Sequence, residues 1–378
     1  MGGPHKITTE PIYIGIVGVG VVGNSFLREL AVRMPKPPRL ILLARSSQAL
    51  LASTPAYSPC IPISNWENAF SDPSLTRLEK GLSPREIADY LASAPGRVIL
   101  VDNTSDLSLA QAYPTFPKQG ISVVTPNKKA FSQDLSLWSD IFASATQGNS
   151  LVHHQCTVGG TLPVLSTLRD LITAGDEILH VEGVLSGTLS LLFGTYMPDP
   201  ETSDAKWSSL VAHAREAGET EPDPRGDLNG LDFARKLTII ARVIGLDVAN
   251  AESFPVESLI PEELRSLPSS AKGVEQFMSE QPRFDAQMEE AKDKAHVLGK
   301  VLRYIGSIDV PTKTIKVRLQ QVDKGTPIAG LQGSQFVSIY TKRRGEAPLI
   351  FQRGGGGGDI TAHGLATNLL KMIEKFHK

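Results

Sequence analysis

Short apolar runs recur along the first part of the chain, with amphipathic stretches between some of them. The runs lie at Ile12–Val17, 40–43, 98–101, 121–124 and 151–152, and stretches with helical spacing lie at 25–32 and Pro84–Ala92. Runs this short and this apolar are typical of strands that are buried on both faces of a parallel sheet. Strands that alternate with helices predict an α/β fold with a doubly wound parallel sheet.

The pattern changes from about residue 161 onward. Longer helical stretches occupy 163–173, 206–217 and 227–244, an acidic and polar segment covers 261–300, and strand-like runs follow at 303–308, 314–320 and 336–341. Helices followed by strands predict a second domain of the α+β class whose strands come late in the chain.

Five glycines occupy 354–358, between an apolar run at 348–351 and a helical C-terminus at 365–376. The composition of this glycine run is typical of a flexible linker. The position, between a strand and a helix, equally favours a close approach of the backbone to a ligand. Both interpretations stay open.

Composition narrows the class of protein. With 378 residues, 41% of them hydrophobic and 21% charged, the chain is expected to form a compact globular protein of two domains. A net charge of -2 without a basic run argues against nucleic acid or an anionic membrane as partner. Two cysteines, no apolar leader within residues 1–10 and no long apolar span together predict a cytoplasmic protein.

A glycine pattern directly follows the first predicted strand and precedes a helical stretch. Gly18 suits a tight turn, Gly20 would let a pyrophosphate approach the backbone, and Gly23 would let helix and strand pack closely. The pattern therefore predicts a Rossmann-type dinucleotide site, in which the helix N-terminus faces the phosphates. The alternative is a glycine-rich turn that binds no ligand.

The end of the second predicted strand lacks the acidic residue that commonly binds the ribose of NAD. Arg45 lies there instead. A guanidinium binds phosphate through paired hydrogen bonds, which favours NADP over NAD. The alternative is that Arg45 is an ordinary surface arginine.

Several longer motifs are more specific than a dinucleotide turn. In chain order they are Asp102-Asn103-Thr104-Ser105, Thr125-Pro126-Asn127-Lys128-Lys129, Ser186-Gly187-Thr188-Leu189-Ser190, Glu221-Pro222-Asp223-Pro224, Asp227-Leu228-Asn229-Gly230-Leu231-Asp232 and Ala234-Arg235-Lys236. In this order they resemble homoserine dehydrogenases of the short, fungal type. The whole chain is similar to that family, without the aspartate kinase or regulatory domains that some relatives carry.

The resemblance implies a reversible, NAD(P)H-dependent reduction of L-aspartate 4-semialdehyde to L-homoserine, in methionine, threonine and isoleucine biosynthesis. It also implies a homodimer. Residues 1–155 would form the dinucleotide-binding domain, completed by 352–378, and residues 156–351 would form a substrate-binding, catalytic and dimerisation domain.

The resemblance also assigns roles to single residues. Lys236 is similar to the catalytic lysine, and Lys128 to a lysine near both nicotinamide and substrate. The remaining assignments are cofactor contacts at Val19, Gly20, Val22, Thr104 and Gly357, carboxylates of the amino-acid site at Glu221, Asp227 and Asp232, and substrate contacts at Gly187 and Thr188.

Three positions depart from the family pattern. Gln155 stands where relatives have a carboxylate in a sodium loop, so a monovalent cation bound by Gln155 and by Val158, Gly160 and Leu162 is expected to bind weakly. Glu219 replaces an aromatic residue and predicts a wetter pocket. Arg353 to Asp359 replaces alternating glycine and alanine, which predicts a looser cofactor loop.

The chemistry of the residues agrees with these roles. Asp232 and Lys236 are four apart on a predicted helix and therefore share one face. A positioned ammonium stabilises the oxygen anion that hydride transfer creates, and it can donate the proton. Lys236 is the predicted donor, Lys128 is predicted to orient substrate or assist, and the alternative for the Asp232–Lys236 pair is a surface salt bridge.

Other carboxylates have plainer alternatives. Two prolines constrain the backbone after Glu221, although an exposed acidic loop has the same composition. Asp227 can also be the N-cap of the helix that carries Lys236. His153 and His154 are adjacent on a strand and point to opposite faces, so they do not predict a metal site.

Two other functions remain compatible with the sequence. Another NAD(P)-dependent dehydrogenase of an amino-acid semialdehyde, acting through an acyl intermediate, would need a cysteine nucleophile, and Cys156 is the candidate. A non-catalytic nucleotide sensor is the other alternative, because fold alone does not determine function.

Overall fold

The computed structural model describes residues 10–34, 37–201 and 203–377. The chain divides into two compact units, Met1–Thr161 with Gly357–Lys378, and Leu162–Gly356. The predicted boundaries at 155 and 351 lie six and five residues before these limits. The prediction that the N-terminus carries no leader falls on residues 1–9, outside the described ones, and on Glu10.

The first unit is an α/β domain around a seven-stranded sheet in the order β4-β3-β2-β1-β5-β6-β7. Its elements are β1 (Ile12–Val17), α1 (Val21–Arg33), β2 (Arg39–Ala44), β3 (Ala49–Leu51), β4 (Thr76–Leu78), α2 (Pro84–Ala92), β5 (Arg97–Asp102), α3 (Leu107–Gln111), α4 (Thr115–Lys118), β6 (Ile121–Val124), α5 (Lys129–Ser132), α6 (Leu135–Gln147), β7 (Val152–His153) and the C-terminal helix (Gly358–Phe376).

Five neighbouring strands of this sheet are parallel, as the apolar runs predict. In spatial order they are β2, β1, β5, β6 and β7. The sheet is not parallel throughout, however, because β3 and β4 join its edge in antiparallel orientation. Each of these strands has only three residues, too few to show a periodicity in the sequence.

The core of the first unit lies between the sheet and two helices that pack on each other. Ile14 from β1, Phe26 and Leu30 from α1, and Leu365 and Leu369 from the C-terminal helix are all completely buried in one cluster. The C-terminal helix therefore completes this unit, and it begins seven residues earlier than the predicted stretch, at Gly358 rather than at residue 365.

The second unit is built on a five-stranded sheet in the order β10-β9-β8-β11-β12, in which every pairing is antiparallel. Its elements are α7 (Val164–Thr173), β8 (Ile178–Val184), α8 (Gly187–Tyr196), α9 (Trp207–Glu216), α10 (Arg225–Leu228), α11 (Leu231–Val243), α12 (Ala271–Glu280), α13 (Asp285–Val297), β9 (Lys300–Asp309), β10 (Thr314–Asp323), β11 (Gln335–Thr341) and β12 (Leu349–Arg353).

Two predictions for this unit were wrong. Not all strands come late, because β8 lies between α7 and α8 and pairs with both β9 and β11. The helix predicted at 227–244 is two helices, α10 and α11. Gly230 separates them with φ of 75°, a left-handed conformation that ends one helix and precedes the next.

Helix α11 lies closely against the sheet at Gly306 of β9. A Cβ atom at that position would be 2.4 Å from the Phe233 ring and 2.6 Å from Leu237. Only glycine therefore permits this spacing, which brings the face of α11 that carries Lys236 next to the end of β8.

Within the described part of the chain, no helix has the length and apolar character needed to span a membrane.

Candidate active site

The turn from β1 into α1 has the geometry that the glycine pattern predicts. Gly18 has φ of 90°, and a Cβ there would lie 2.7 Å from Thr104 Cγ2. A Cβ at Gly23 would lie 2.1 Å from the Gly18 carbonyl oxygen, so this glycine is needed for helix and strand to pack. A Cβ at Gly20 would meet no atom within 4 Å. The backbone at Gly20 is thus open, as a bound pyrophosphate requires.

The N-terminus of α1 is also suited to phosphate. Among the described residues no side chain caps it, and its first turn contains no acidic residue. The first amides of a helix attract anions through their hydrogens and through the helix dipole. Val19 and Val22 lie on this turn. The residues present therefore fit a dinucleotide.

Thr104 is positioned by a buried acid that sequence analysis did not single out. Asp102, at the end of β5, is fully buried and accepts hydrogen bonds from Thr104 N at 2.7 Å, Tyr113 Oη at 2.5 Å and Asn127 Nδ2 at 3.2 Å. Burial raises the pKa of the Asp102 carboxyl, while these hydrogen bonds oppose the shift. Asp102 thus connects the loop after β5 with the loop after β6, where Thr125 accepts from Asn127 N.

Lys128 belongs to the second of these loops and immediately precedes α5. Its loop is ordered by Asn127, whose Oδ1 accepts from Lys129 N at 3.1 Å. Since β1, β5 and β6 are parallel neighbours, Gly18, Thr104 and Lys128 all follow carboxyl ends at one edge of the sheet. That edge is where open α/β sheets bind ligands.

Arg45 follows β2 and is half-buried. Its Cζ lies 5.1 Å from the ring centres of both Trp66 and Phe70. Two aromatic contacts restrict the guanidinium and reduce the entropy lost when it binds an anion. This packing differs from that of an ordinary, solvated surface arginine.

The late glycine run continues directly into the C-terminal helix. Gly357 precedes that helix with φ of 99°. A Cβ on Gly358 would lie 2.5 Å from Val21 Cγ1, so the helix begins in close contact with the start of α1. Ser25 Oγ donates a hydrogen bond to Asp359. The last glycines of the run therefore lie in close contact with the dinucleotide turn, where the C-terminal helix begins.

The second unit brings Lys236 into contact with two oxygen acceptors. Lys236 is 8% exposed, and its Nζ lies 2.9 Å from Asp232 Oδ2 and 2.7 Å from the carbonyl oxygen of Leu185, just after β8. A largely buried ammonium needs such acceptors, because removal from water is costly. The pair therefore differs from an ordinary surface salt bridge on the lysine side, while the Asp232 side chain is 42% exposed.

Asp232, the partner of this lysine, belongs to a group of three carboxylates that act on one another electrostatically through Asp227. Asp227 Oδ2 accepts from Glu221 N at 2.8 Å. Burial raises the pKa of Asp227, and the charges of Glu221 and Asp232 raise it further, while the hydrogen bond from the Glu221 amide opposes the shift. Carboxylates whose charges act on one another in this way favour a bound cationic group.

Thr188 closes the same cluster. It lies in the first turn of α8, directly after Gly187, and its hydroxyl donates to the Glu219 carbonyl oxygen at 2.9 Å. Asp227, by contrast, is not the N-cap of the helix with Lys236, because that helix begins after Gly230 and Asp227 lies in α10. The N-cap prediction was wrong, and Asp227 turns towards the Glu221 loop instead.

Arg225 holds the Glu221 loop in place, a role that the sequence did not reveal. It is 7% exposed and binds Asp223 through Nε and Nη2, at 2.9 Å and 2.7 Å. It also donates to the carbonyl oxygens of Leu267 and Pro268. The Asp-Pro-Arg spacing is visible in the sequence, but the two carbonyl groups come from residues 42 and 43 positions further along the chain.

The loop that follows β7 carries the predicted cation ligands. Gln155 begins a short 3-10 helix, Gln155–Thr157, and Val158 and then two glycines follow, with φ of 74° at Gly159 and 61° at Gly160. Leu162 lies at the start of the second unit. The monovalent cation at these residues stays a prediction.

Cys156 lies buried on the same loop. Its Sγ accepts from Asn368 Nδ2 at 3.1 Å, and burial raises the pKa of its thiol to about 12. Nearby, His153 Nδ1 contacts the Asn368 carbonyl oxygen, while His154 is buried and stacks on Phe131 at 4.2 Å. These side chains pack the C-terminal helix and an aromatic cluster.

A dinucleotide turn in one unit and a buried lysine beside carboxylates in the other define a nicotinamide-dependent oxidoreductase. Known proteins identify the family. Family models described as "Homoserine dehydrogenase, NAD binding domain" and "Homoserine dehydrogenase" match residues 18–155 and 163–370. The chain belongs to the homoserine dehydrogenase family.

Individual proteins support this assignment. A homoserine dehydrogenase of Emericella nidulans is 60% identical over 97% of this chain and 100% of that protein. The crystal structure of a Candida auris protein of unknown function has a TM-score of 0.88 and 40% identity, covering 97% of this chain and 99% of the other. A hyperthermophilic archaeal homoserine dehydrogenase in complex with NADPH, at 20% identity, shares the fold with a TM-score of 0.68, over 97% and 98% of the two chains.

The glycine turn gives a prediction that separates ligand binding from packing. Gly20→Ala places a methyl group in open space, so the melting temperature should stay near the parental one while the Kd for NADPH rises roughly tenfold or more. Gly23→Ala forces a methyl group into the Gly18 carbonyl and should cost about 1–3 kcal/mol of stability. Fluorescence titration with NADPH and thermal unfolding measure both effects. Equal Kd values for parent and Gly20→Ala would contradict a pyrophosphate at this turn.

Proposed function

We propose that the chain catalyses the reversible oxidation of L-homoserine to L-aspartate 4-semialdehyde with a nicotinamide cofactor. The observation that carries the proposal is the position of Lys236, largely buried between Asp232 and the Leu185 carbonyl, where the charge of Asp232 also acts on Asp227. The second unit therefore contains both carboxylates that can bind the substrate ammonium and an amine that can exchange a proton with the substrate hydroxyl.

The roles of the residues follow from their charges. Glu221 and Asp227 bind the substrate ammonium, and the first turn of α8, at Gly187 and Thr188, orients the amino-acid end. Lys236 removes the hydroxyl proton in the oxidative direction while it is neutral, and returns it to the oxygen in the reductive direction. Lys128, at the carboxyl edge of the first unit, assists in orienting substrate. The cofactor, when bound, accepts or supplies the hydride.

The acyl-enzyme alternative has little support in the structure. A cysteine nucleophile reacts as a thiolate. Burial raises the pKa of the Cys156 thiol to about 12, so almost none is ionised near neutrality. A spectrophotometric assay with L-homoserine and NADP tests the proposed reaction directly, and a folded protein that binds NADPH without turning over homoserine would point to the nucleotide sensor instead.

We propose NADP as the preferred cofactor, with NAD also accepted, because Arg45 is held by Trp66 and Phe70 at the end of β2. Arg45→Gln removes a charged hydrogen bond of about 1.5–3 kcal/mol to the 2'-phosphate. The value of kcat/KM for NADP should fall roughly 10- to 100-fold, with little change for NAD. Arg85→Gln, at an exposed arginine of the same unit, is the matched control. An unchanged ratio between the two cofactors would remove Arg45 from the site.

Substitutions at Lys236 and Glu221 should change different kinetic constants. Lys236→Met keeps the length of the side chain but loses the proton-transfer group, and turnover should fall about 100- to 10,000-fold. Glu221→Gln loses the charge opposite the substrate ammonium, so the homoserine KM should rise more than kcat falls. Both steady-state constants, NADPH binding and circular dichroism should be measured for each. Near-parental turnover in folded Lys236→Met would shift the chemical role to Lys128.

The raised pKa of Asp227 predicts a pH dependence of substrate binding. The substrate ammonium binds the ionised carboxylate, so affinity is complete above the raised pKa and declines as pH falls through it. The homoserine KM should therefore begin to rise at a pH above the ordinary aspartate value of 3.8. Asp227→Asn should give a high KM without this step, whereas Glu219→Gln should retain it. A KM profile that is the same for parent and Asp227→Asn would exclude Asp227 from binding.

We further propose a weakly bound monovalent cation such as sodium at Gln155, Val158, Gly160 and Leu162, because the donor set lacks a charged ligand. A homodimer and a cytoplasmic location complete the proposal. Two free cysteines, Cys60 and Cys156, are consistent with a reducing compartment.

A further inference from the structure

The Leu185 carbonyl oxygen accepts two side-chain hydrogen bonds. Lys236 Nζ donates to it at 2.7 Å, and Gln335 Nε2 donates at 3.1 Å. The Oε1 atom of Gln335 in turn accepts from Arg353 Nη2 at 3.1 Å. A short chain of hydrogen bonds thus leads from Arg353 to the carbonyl that holds Lys236.

The strand register explains why these groups meet. Gln335 lies directly opposite Arg353 in the β11–β12 pair. Phe336 lies opposite Val184 in the β11–β8 pair, which brings Gln335 alongside Leu185. The arrangement is therefore built into the sheet and does not depend on a loop conformation.

Arg353 determines which way the Gln335 amide points. A guanidinium only donates hydrogen bonds, so the amide oxygen must face Arg353. The amide NH2 group must then face Leu185, where it donates. Without Arg353, either end of the amide can turn to the carbonyl, and the oxygen end would repel it.

We propose that Gln335, oriented by Arg353, is a positioning residue for Lys236. This inference rests on the proposed function. Gln335 binds one lone pair of the Leu185 carbonyl and fixes its direction, so that the other lone pair receives Lys236. A neutral amine has two N–H bonds and one lone pair. When the N–H bonds point to Asp232 and Leu185, tetrahedral geometry sets the direction of the lone pair that must accept the hydroxyl proton.

The test compares Gln335→Leu with Gln352→Leu, the same change at an exposed position of the neighbouring strand. Misplacing a reacting group by about 1 Å can cost 100-fold in rate. For Gln335→Leu we expect kcat for homoserine oxidation to fall roughly 10- to 100-fold, with the homoserine KM within about twofold of the parent. The solvent deuterium isotope effect on kcat should increase, because a misaligned amine makes proton transfer slower. Gln352→Leu should resemble the parent in all three quantities.

Variants at Arg353 test the orientation step without removing Gln335. Arg353→Lys still donates to the amide oxygen and should retain most of the turnover. Arg353→Met should lower kcat and raise the isotope effect in the same direction as Gln335→Leu. These variants also carry the test if Gln335→Leu fails to fold.

The outcomes separate this inference from the proposed function. A folded parent without homoserine oxidation would overturn the function itself. An active parent together with parental kcat and isotope effect in folded Gln335→Leu, or in Arg353→Met, would overturn the positioning role. A loss that appears only as a lower melting temperature, with unchanged kcat per folded molecule, would reduce Gln335 to a structural residue.

Discussion

The burial of the Lys236 ammonium is the interaction on which the second unit depends. A charge removed from water must be paired with acceptors that the fold holds in place. Asp232, one turn earlier on α11, supplies one acceptor, and the Leu185 carbonyl at the end of β8 supplies the other. The carbonyl is in reach because Gly306 lets α11 lie close to the sheet, whereas Asp232 is on the same helix as Lys236. One of the two acceptors of the ammonium therefore depends on a packing contact that is remote from the lysine in sequence.

In the first unit, a backbone contact and one buried carboxylate hold the ligand-facing groups in place. Gly23 packs against the Gly18 carbonyl, and this contact fixes the turn that leaves Gly20 open. Asp102 then connects the loops that carry Thr104 and Lys128. A buried carboxylate with several donors rigidifies what surrounds it, because any movement would leave a charge without a partner. Gly20, Thr104 and Lys128 are thus positioned by buried neighbours rather than by contacts with one another.

Features whose determinants lie within a few residues of one another could be predicted from the sequence, and features that depend on distant segments could not. Apolar periodicity was enough for β1, α2 and β6, and the glycine turn was predictable because its constraints lie within a few residues. Strand β8 was missed because His180, Glu182 and Gly183 interrupt its apolar pattern, and the first two of these side chains are only partly buried. Arg225 and Gln335 gave no signal, since their partners come from distant segments and exist only after folding.

The carboxylates beside Lys236 also create a conflict that the substrate itself can relieve. By Coulomb's law, Asp232 at 2.9 Å favours the charged amine, which suits reduction of the aldehyde but opposes proton removal from homoserine. The charges of Asp232 and Glu221 already act on Asp227, so the three carboxylates form one electrostatic group. A substrate ammonium bound to this group offsets part of its negative potential at Lys236. Under the proposed function, the amino end of homoserine therefore helps to prepare the base that acts on its hydroxyl, and an alcohol without the amino group would lack this effect as well as the binding contact.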